Sequence, residues 1–316
     1  MDDHHSSSKF KETNSMSWFE TEKSVLQEVH FKDFSESGAR VFIKRDDLID
    51  PLVSGNKWRK LKYIVELARF QQREGLLTLG GAYSNHLLAT AAACQKTGMK
   101  SIGLVRGEEL TPDSNDNLKK CHELGMELVF LPRSEYAERQ ESERREIWKQ
   151  RHPSYLLVPE GGACYHGLIG CQELAKELPA DTDRVFVAQG TTTTSCGLLL
   201  GLPESTRLHV VPALKGFDAK QEMSTVLHPF LLDQKLINES LGRVTVHPEH
   251  HFGGYGKTTP ELNDFILRVY EETGIPLDSV YTGKAFYALA EELKTGCYDG
   301  QKVVFIHTGG LSNTRN

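Results

Sequence analysis

Lys57 stands in the run Ser54-Gly55-Asn56-Lys57-Trp58-Arg59-Lys60-Leu61, directly after a Gly-Asn turn signal and directly before a stretch that reads as helix. A lysine kept for solubility usually lies on a helix flank or in a loop, free to point into water. One fixed at a turn-to-helix junction is constrained, and an amine held in a pocket can form a Schiff base with a carbonyl. A second segment, Gln189-Gly190-Thr191-Thr192-Thr193-Thr194-Ser195-Cys196-Gly197, follows an apolar strand pattern and opens an apolar helix. Backbone N–H groups and hydroxyls at such a turn converge on one anion, and the helix N-terminus adds partial positive charge. The segment has neither the lysine and spacing of a nucleotide P-loop nor a G-x-G-x-x-G, so the anion it suits is a single phosphate. A Thr-rich N-cap region is the competing reading.

Gly80-Gly81-Ala82-Tyr83-Ser84-Asn85-His86 also lies between a strand pattern and a helix. Ser84 and Asn85 read either as caps or as donors that receive a carboxylate or phenolate. A hydrolase pairing of Ser84 with His86 is poor, because near-adjacent residues at a helix start do not face each other and no nucleophile elbow surrounds the serine. Three further segments set glycine beside hydroxyl-bearing side chains: Gly254-Tyr255-Gly256, Asp278-Ser279-Val280-Tyr281-Thr282-Gly283-Lys284 and His307-Thr308-Gly309-Gly310. Glycine there permits close approach of backbone to a ligand. Lys284 reads as an exposed first-turn residue rather than a second catalytic amine. A turn-fixed lysine, a single-phosphate cradle, an anion turn and Gly-flanked tyrosines are the parts needed to hold pyridoxal 5'-phosphate, whose aldehyde requires a lysine and whose phosphate requires a cup.

The elements that position these residues alternate. Apolar runs predict strands at 41–43, 76–79, 101–105, 127–131, 155–158, 184–188, 208–211 and 302–306, with helical stretches between most of them. The clearest helices are 58–71, with Leu61, Ile64, Val65 and Ala68 on one face, and 87–96. The charged stretch 135–151 reads as a solvated outer helix. Such alternation gives parallel sheets with crossover helices, an α/β fold, and every motif above lies just after a strand, where open α/β sheets bind ligands. No internal repeat or low-complexity linker appears, so a second lobe must be inserted within the sheet topology.

A chain of 316 residues exceeds one usual domain, and two lobes are expected. A formal net charge of −6, with no basic block, argues against nucleic acid as a partner. Six cysteines without a CxxC pair fit free thiols in a reducing compartment; Cys164 and Cys171 as a metal pair is the weaker alternative, and no metal is expected. Residues 1–15 are polar, lack an apolar signal core and read as a disordered leader, and Met16 is an alternative start. No stretch is apolar for long enough to span a membrane, so a cytoplasmic location is expected.

The ordered motifs resemble the 1-aminocyclopropane-1-carboxylate deaminase and D-cysteine desulfhydrase family, pyridoxal-phosphate enzymes of the tryptophan-synthase-β-like fold (fold type II). "IKRDDLIDPLVSGNKWRKLKY" resembles its segment around the cofactor lysine, "LGGAYSNHLLATAAAC" its substrate-carboxylate loop and "PEGGACYHGLIG" its connector between lobes. "QGTTTTSCG" resembles the phosphate loop, "VYTGKAF" the active-site tyrosine segment and "IHTGG" the terminal strand motif. The resemblance implies two open, twisted, mostly parallel sheets with the cofactor in the cleft between lobes. Residues 16–60 and 170–316 would form the large cofactor-binding domain, and 61–169 a small inserted α/β domain.

By position, Lys57 would carry the cofactor and serve as proton-transfer base, and Asn85 would bond the ring hydroxyl. Ser84, Asn85 and His86 would bind the substrate carboxylate. Gly190, Thr191, Thr192, Thr193 and Thr194 would hold the phosphate. Tyr281 would lie over the substrate, with Tyr255 as a second catalytic tyrosine. Deaminases of the family carry Glu and Leu where this chain has Thr282 and Thr308, so the resemblance implies the desulfhydrase pattern. A neutral hydroxyl near the ring nitrogen leaves a weaker electron sink than a carboxylate would, sufficient for losing an α-proton and then a thiolate. The implied activity is D-cysteine desulfhydration to pyruvate, ammonia and sulfide. Cyclopropane deamination and cofactor binding without turnover are the alternatives. A small amino-acid substrate and a homodimer are the implied partners.

Overall fold

The computed structural model describes residues 21–296 and 298–311. The leader expected at 1–15, the alternative start Met16 and Cys297 lie outside the described residues. Two sheets organise the chain. The larger has six strands: β1 (Leu26–Glu28), β2 (Arg40–Lys44), β10 (Lys302–Ile306), β7 (Arg184–Gln189), β8 (Arg207–Pro212) and β9 (Val244–Val246), hydrogen-bonded in that spatial order. Only β1 runs antiparallel to its neighbour. The smaller sheet is wholly parallel, in the order β5 (Met126–Leu131), β4 (Lys100–Arg106), β3 (Gly75–Gly80) and β6 (Tyr155–Val158).

The strand sequences account for this layering. In β7 and β10, Val185, Phe186, Val187, Val304 and Phe305 are all buried, a continuous apolar run that suits a parallel strand covered on both faces. On one face Phe186 and Phe305 pack with Phe31, Phe34, Phe265 and Phe286. On the other, Val187 and Val304 meet Leu174, Leu198, Leu208 and Met223. The small sheet is likewise covered on one side by Leu61, Val65 and Ala89, and on the other by Tyr136 and Trp148.

Three features depart from expectation. The charged stretch at 135–151 is two helices, α4 (Arg133–Ala137) and α5 (Ser142–Arg151), and it is not simply solvated. Tyr136 and Trp148 are buried from it against the small sheet, while its charges pair among themselves (Arg144 with Glu138, Lys149 with Glu146). Lys284 is buried, not exposed: its ammonium donates to the carbonyls of His251 and Gly254, both at 2.8 Å. β1 and β9 were not anticipated; each is three residues at a sheet edge, too short to show a period.

Helix α1 (Asn56–Phe70) runs between the sheets and fixes the start of the site. Gly55 has φ +60°, and a Cβ there would lie 2.1 Å from the Thr308 carbonyl oxygen, so only glycine lets the turn rest on the segment following β10. The Asn56 N–H donates to that carbonyl at 3.3 Å. One turn on, buried Arg59 forks onto Asp46 at 3.0 and 2.9 Å and also pairs with Glu177. These bonds anchor the helix end that carries Lys57.

Candidate active site

The C-terminal ends of β3, β4, β6, β7, β8 and β10 face a cavity of about 540 Å³ between the two sheets. Of the residues singled out from sequence, Lys57, Ser84, Asn85, His86, Gly190, Thr191, Tyr255, Tyr281 and Thr308 line it. Thr192, Thr193, Thr194 and Thr282 do not; they stand behind the wall.

Lys57 opens onto the cavity and its ammonium donates to Asn56 Oδ1 at 3.0 Å. No carboxylate among the described residues pairs with it. Protein packed around the amine pushes its pKa down to about 7, and the charge of Lys60 one turn along the helix adds to the effect. Cys171 and Asp278 oppose it weakly.

Beyond β7, Gly190 passes under Tyr281, where a Cβ would lie 2.7 Å from the ring. The chain then enters α7 (Thr193–Gly201), whose free N–H groups face this turn. Lys60 was missed in the sequence as part of this cradle. It is fully buried and donates to Thr191 Oγ1 at 2.9 Å and to the Gly161 carbonyl at 3.1 Å. The signal was its i,i+3 spacing from Lys57, which puts both amines on one helix face. Asn56 Nδ2 donates to Thr194 Oγ1 at 3.0 Å, tying the lysine turn to the threonine loop. Thr193 Oγ1 is buried without a partner among the described residues. A lysine ammonium, helix N–H groups and hydroxyls here outnumber acceptors, which is the donor set a phosphate requires. The residues fit pyridoxal phosphate.

Facing this cradle is the loop before α2 (Asn85–Thr97). Ser84 is the N-cap, accepting from Leu87 N at 3.3 Å, and Asn117 Nδ2 holds the loop through the Ala82 carbonyl at 3.1 Å. The capping reading of Ser84 and its place in the cavity wall therefore coexist. His86 is different. Thr78 Oγ1 donates to the Val158 carbonyl at 3.0 Å, so at 2.9 Å it accepts from His86 Nε2–H. His86 Nδ1 is left as a bare acceptor, and burial, then the charges of Lys57 and Lys60, hold the ring neutral, with its pKa well below the usual histidine value. Its one donor is committed to Thr78, so it has none for a carboxylate.

Tyr281 lies 6.0 Å from Tyr255 between ring centroids, at 68°. Burial, with Tyr255 alongside, holds the Tyr281 phenol well above its ordinary pKa, so its hydroxyl stays protonated. Tyr255 is half exposed at the cavity mouth on the loop that Lys284 secures. Thr282 and Thr308 part company. The Thr282 hydroxyl donates to Asp278 Oδ2 at 2.6 Å and accepts from Asp278 N at 2.8 Å. Asp278 also receives N–H groups from Val280, Tyr281 and Thr282, a buried carboxylate that lies in the singled-out segment but to which the sequence assigned no role. Thr308, by contrast, lines the cavity with no hydrogen bond from its hydroxyl among the described residues.

Away from the cavity, His247, Glu249 and His250 have metal-ligand spacing. Arg184 Nη1 donates to His209 Nε2 at 3.3 Å, so His209 donates from Nδ1 to His247 Nε2 at 2.9 Å. The His247 proton then sits on Nδ1, facing Glu292 at 3.5 Å. That directed chain leaves His247 no lone pair for a metal ion.

Comparison with known proteins identifies the family of the chain. The family profile described as "Pyridoxal-phosphate dependent enzyme" matches residues 26–309. The chain is 35% identical over 289 residues to a putative 1-aminocyclopropane-1-carboxylate deaminase of Pyrococcus horikoshii, covering 88% of this chain and 87% of that one. It is 29% identical to the mitochondrial bifunctional D-cysteine desulfhydrase/1-aminocyclopropane-1-carboxylate deaminase of Arabidopsis thaliana, over 87% of this chain and 73% of the relative. A crystal structure of an ACC deaminase homologue superposes with a TM-score of 0.75 at 31% identity, over 92% and 90% of the two chains. The chain belongs to the pyridoxal-phosphate dependent enzymes, in the group of fold-type II lyases and deaminases that contains the 1-aminocyclopropane-1-carboxylate deaminases and D-cysteine desulfhydrases.

Proposed function

We propose that the protein converts D-cysteine, with water, to pyruvate, ammonia and sulfide. The observation that carries the reading is Lys57, a cavity-facing amine with no carboxylate partner among the described residues and pushed down to about 7, set between a phosphate-type cradle and a carboxylate-type loop. Pyridoxal phosphate, when bound, supplies a sink for the electron pair left at the α-carbon after proton loss. Gly190, Thr191 and the α7 N-terminus, with Lys60 behind them, would hold its phosphate, and Asn85 its ring hydroxyl. Thr192, Thr193 and Thr194 support that turn from behind. Ser84 and the α2 N–H groups would receive the substrate carboxylate; His86, lacking a free donor, forms the wall beside them. Lys57, about half uncharged near neutral pH, takes the α-proton. Tyr281 keeps its proton and is placed to donate to the departing sulfur, with Tyr255 beside it.

Thr308 favours elimination over ring opening, as a neutral hydroxyl in the cavity that no other described residue engages. Thr282 contributes indirectly, through its bond to Asp278. The lobe boundaries at 60/61 and 169/170, a homodimer and a cytoplasmic location belong to the same proposal; among the described residues no helix is long and apolar enough to cross a membrane. Assaying D-cysteine, L-cysteine, D-serine and 1-aminocyclopropane-1-carboxylate side by side for keto acid tests the substrate. D-cysteine is expected to be turned over most efficiently, with equimolar sulfide. Turnover of the cyclopropane compound alone, to 2-oxobutanoate, would overturn the assignment.

A further inference from the structure

The mouth of the cavity carries a charge that the proposed reaction of D-cysteine does not use. Three arginines line it, Arg106, Arg133 and Arg139, with two glutamates, Glu109 and Glu160. Arg133 pairs with Glu109, and Arg139 with Glu160, which also accepts from the Tyr136 hydroxyl at 2.7 Å. The Arg106 guanidinium takes part in no hydrogen bond or ion pair among the described residues. It is the last residue of β4, and Gly107, at φ +124°, turns the chain away while its N–H bonds the Leu131 carbonyl at 2.9 Å. The guanidinium is thereby left over the anion loop: a Cβ on Gly81 would lie 3.9 Å from Arg106 Nη2.

We propose that Arg106 selects amino acids bearing a second anionic group at the end of the side chain, such as a carboxylate. The proposal rests on the lyase reading of the site. Ser84 and the α2 N-terminus already supply donors for the α-carboxylate. A planar fork at the mouth, with its neighbours' charges already matched, is suited to a further oxyanion.

Binding of aspartate against asparagine, and of glutamate against glutamine, in both stereoisomers tests this, because each pair differs by one charge at nearly constant shape. The readout is the visible absorbance of the cofactor-loaded enzyme on titration, alongside KM for D-cysteine. The acidic member of at least one pair is expected to bind about 10- to 100-fold more tightly, the range for a charge-assisted hydrogen bond. Raising the ionic strength should shrink that preference. Arg106→Gln should abolish it while leaving the D-cysteine KM within about twofold. Equal binding within both pairs would overturn the proposal. So would an Arg106→Gln enzyme whose KM for D-cysteine rises as far as its acidic-ligand affinity falls, since Arg106 would then hold the α-carboxylate. If no amino acid alters the absorbance and no keto acid forms, the lyase reading itself fails and this proposal fails with it.

Discussion

Lys57 reacts as an amine only when it has lost its proton, and its neighbours set the pH at which that happens. Burial and the Lys60 charge bring it to about 7 from an ordinary 10.5, so the uncharged fraction rises as pH rises through 7. The rate at which cofactor-free protein captures pyridoxal phosphate should therefore climb through about pH 7 and level off above it, as followed by stopped-flow absorbance. Lys60→Gln removes a like charge and should move that inflection to higher pH. Asp278→Asn removes an opposing one and should move it to lower pH. Inflections that stay fixed in both variants would refute the electrostatic account. Lys57 was legible in the sequence because its turn chemistry is local. Lys60 and Asp278 were not, because their partners, Thr191 and the 280–282 backbone, exist only once distant segments meet or a turn closes.

At the scale of elements, sequence period revealed what was long enough to have one. β6 and β10 fall where their apolar runs predict, and β3, β4, β5, β7 and β8 extend those runs by a residue or two. The stretch 135–151 misled because its composition is charged while its contribution to packing rests on two aromatic rings. Trp148 is buried against the small sheet, with Nε1 donating to Glu135 Oε1 at 3.2 Å. Trp148→Ala should cost about 3–5 kcal/mol by cavity formation, read from chemical denaturation. The Lys57-dependent absorbance should be unchanged in the protein that remains folded, because Trp148 does not line the cavity. A loss below about 1 kcal/mol would mean that α5 is the solvated helix its charges suggest.

Across the whole molecule, the site is a product of topology. No single segment holds more than a fraction of it; six strand ends from two sheets bring 57, 81–86, 190–191, 281 and 308–310 to one cavity. The sequence disclosed those segments because each carries glycine and hydroxyl turn chemistry. It could not disclose which side chains reach the cavity. Thr282 and Thr308 look equivalent as letters, yet one hydroxyl is spent on Asp278 and the other faces the cavity. His86 looked like a carboxylate donor until Thr78 took its proton-bearing nitrogen. Of the three amines of this cleft and its supports, Lys57, Lys60 and Lys284, Lys57 alone is proposed to bond the cofactor. Borohydride reduction of the cofactor-loaded protein, followed by peptide mass mapping, tests it most directly. We expect the reduced pyridoxyl group on Lys57 and no stable visible absorbance in Lys57→Ala; the group on Lys60 or Lys284, or on no lysine, would contradict this assignment.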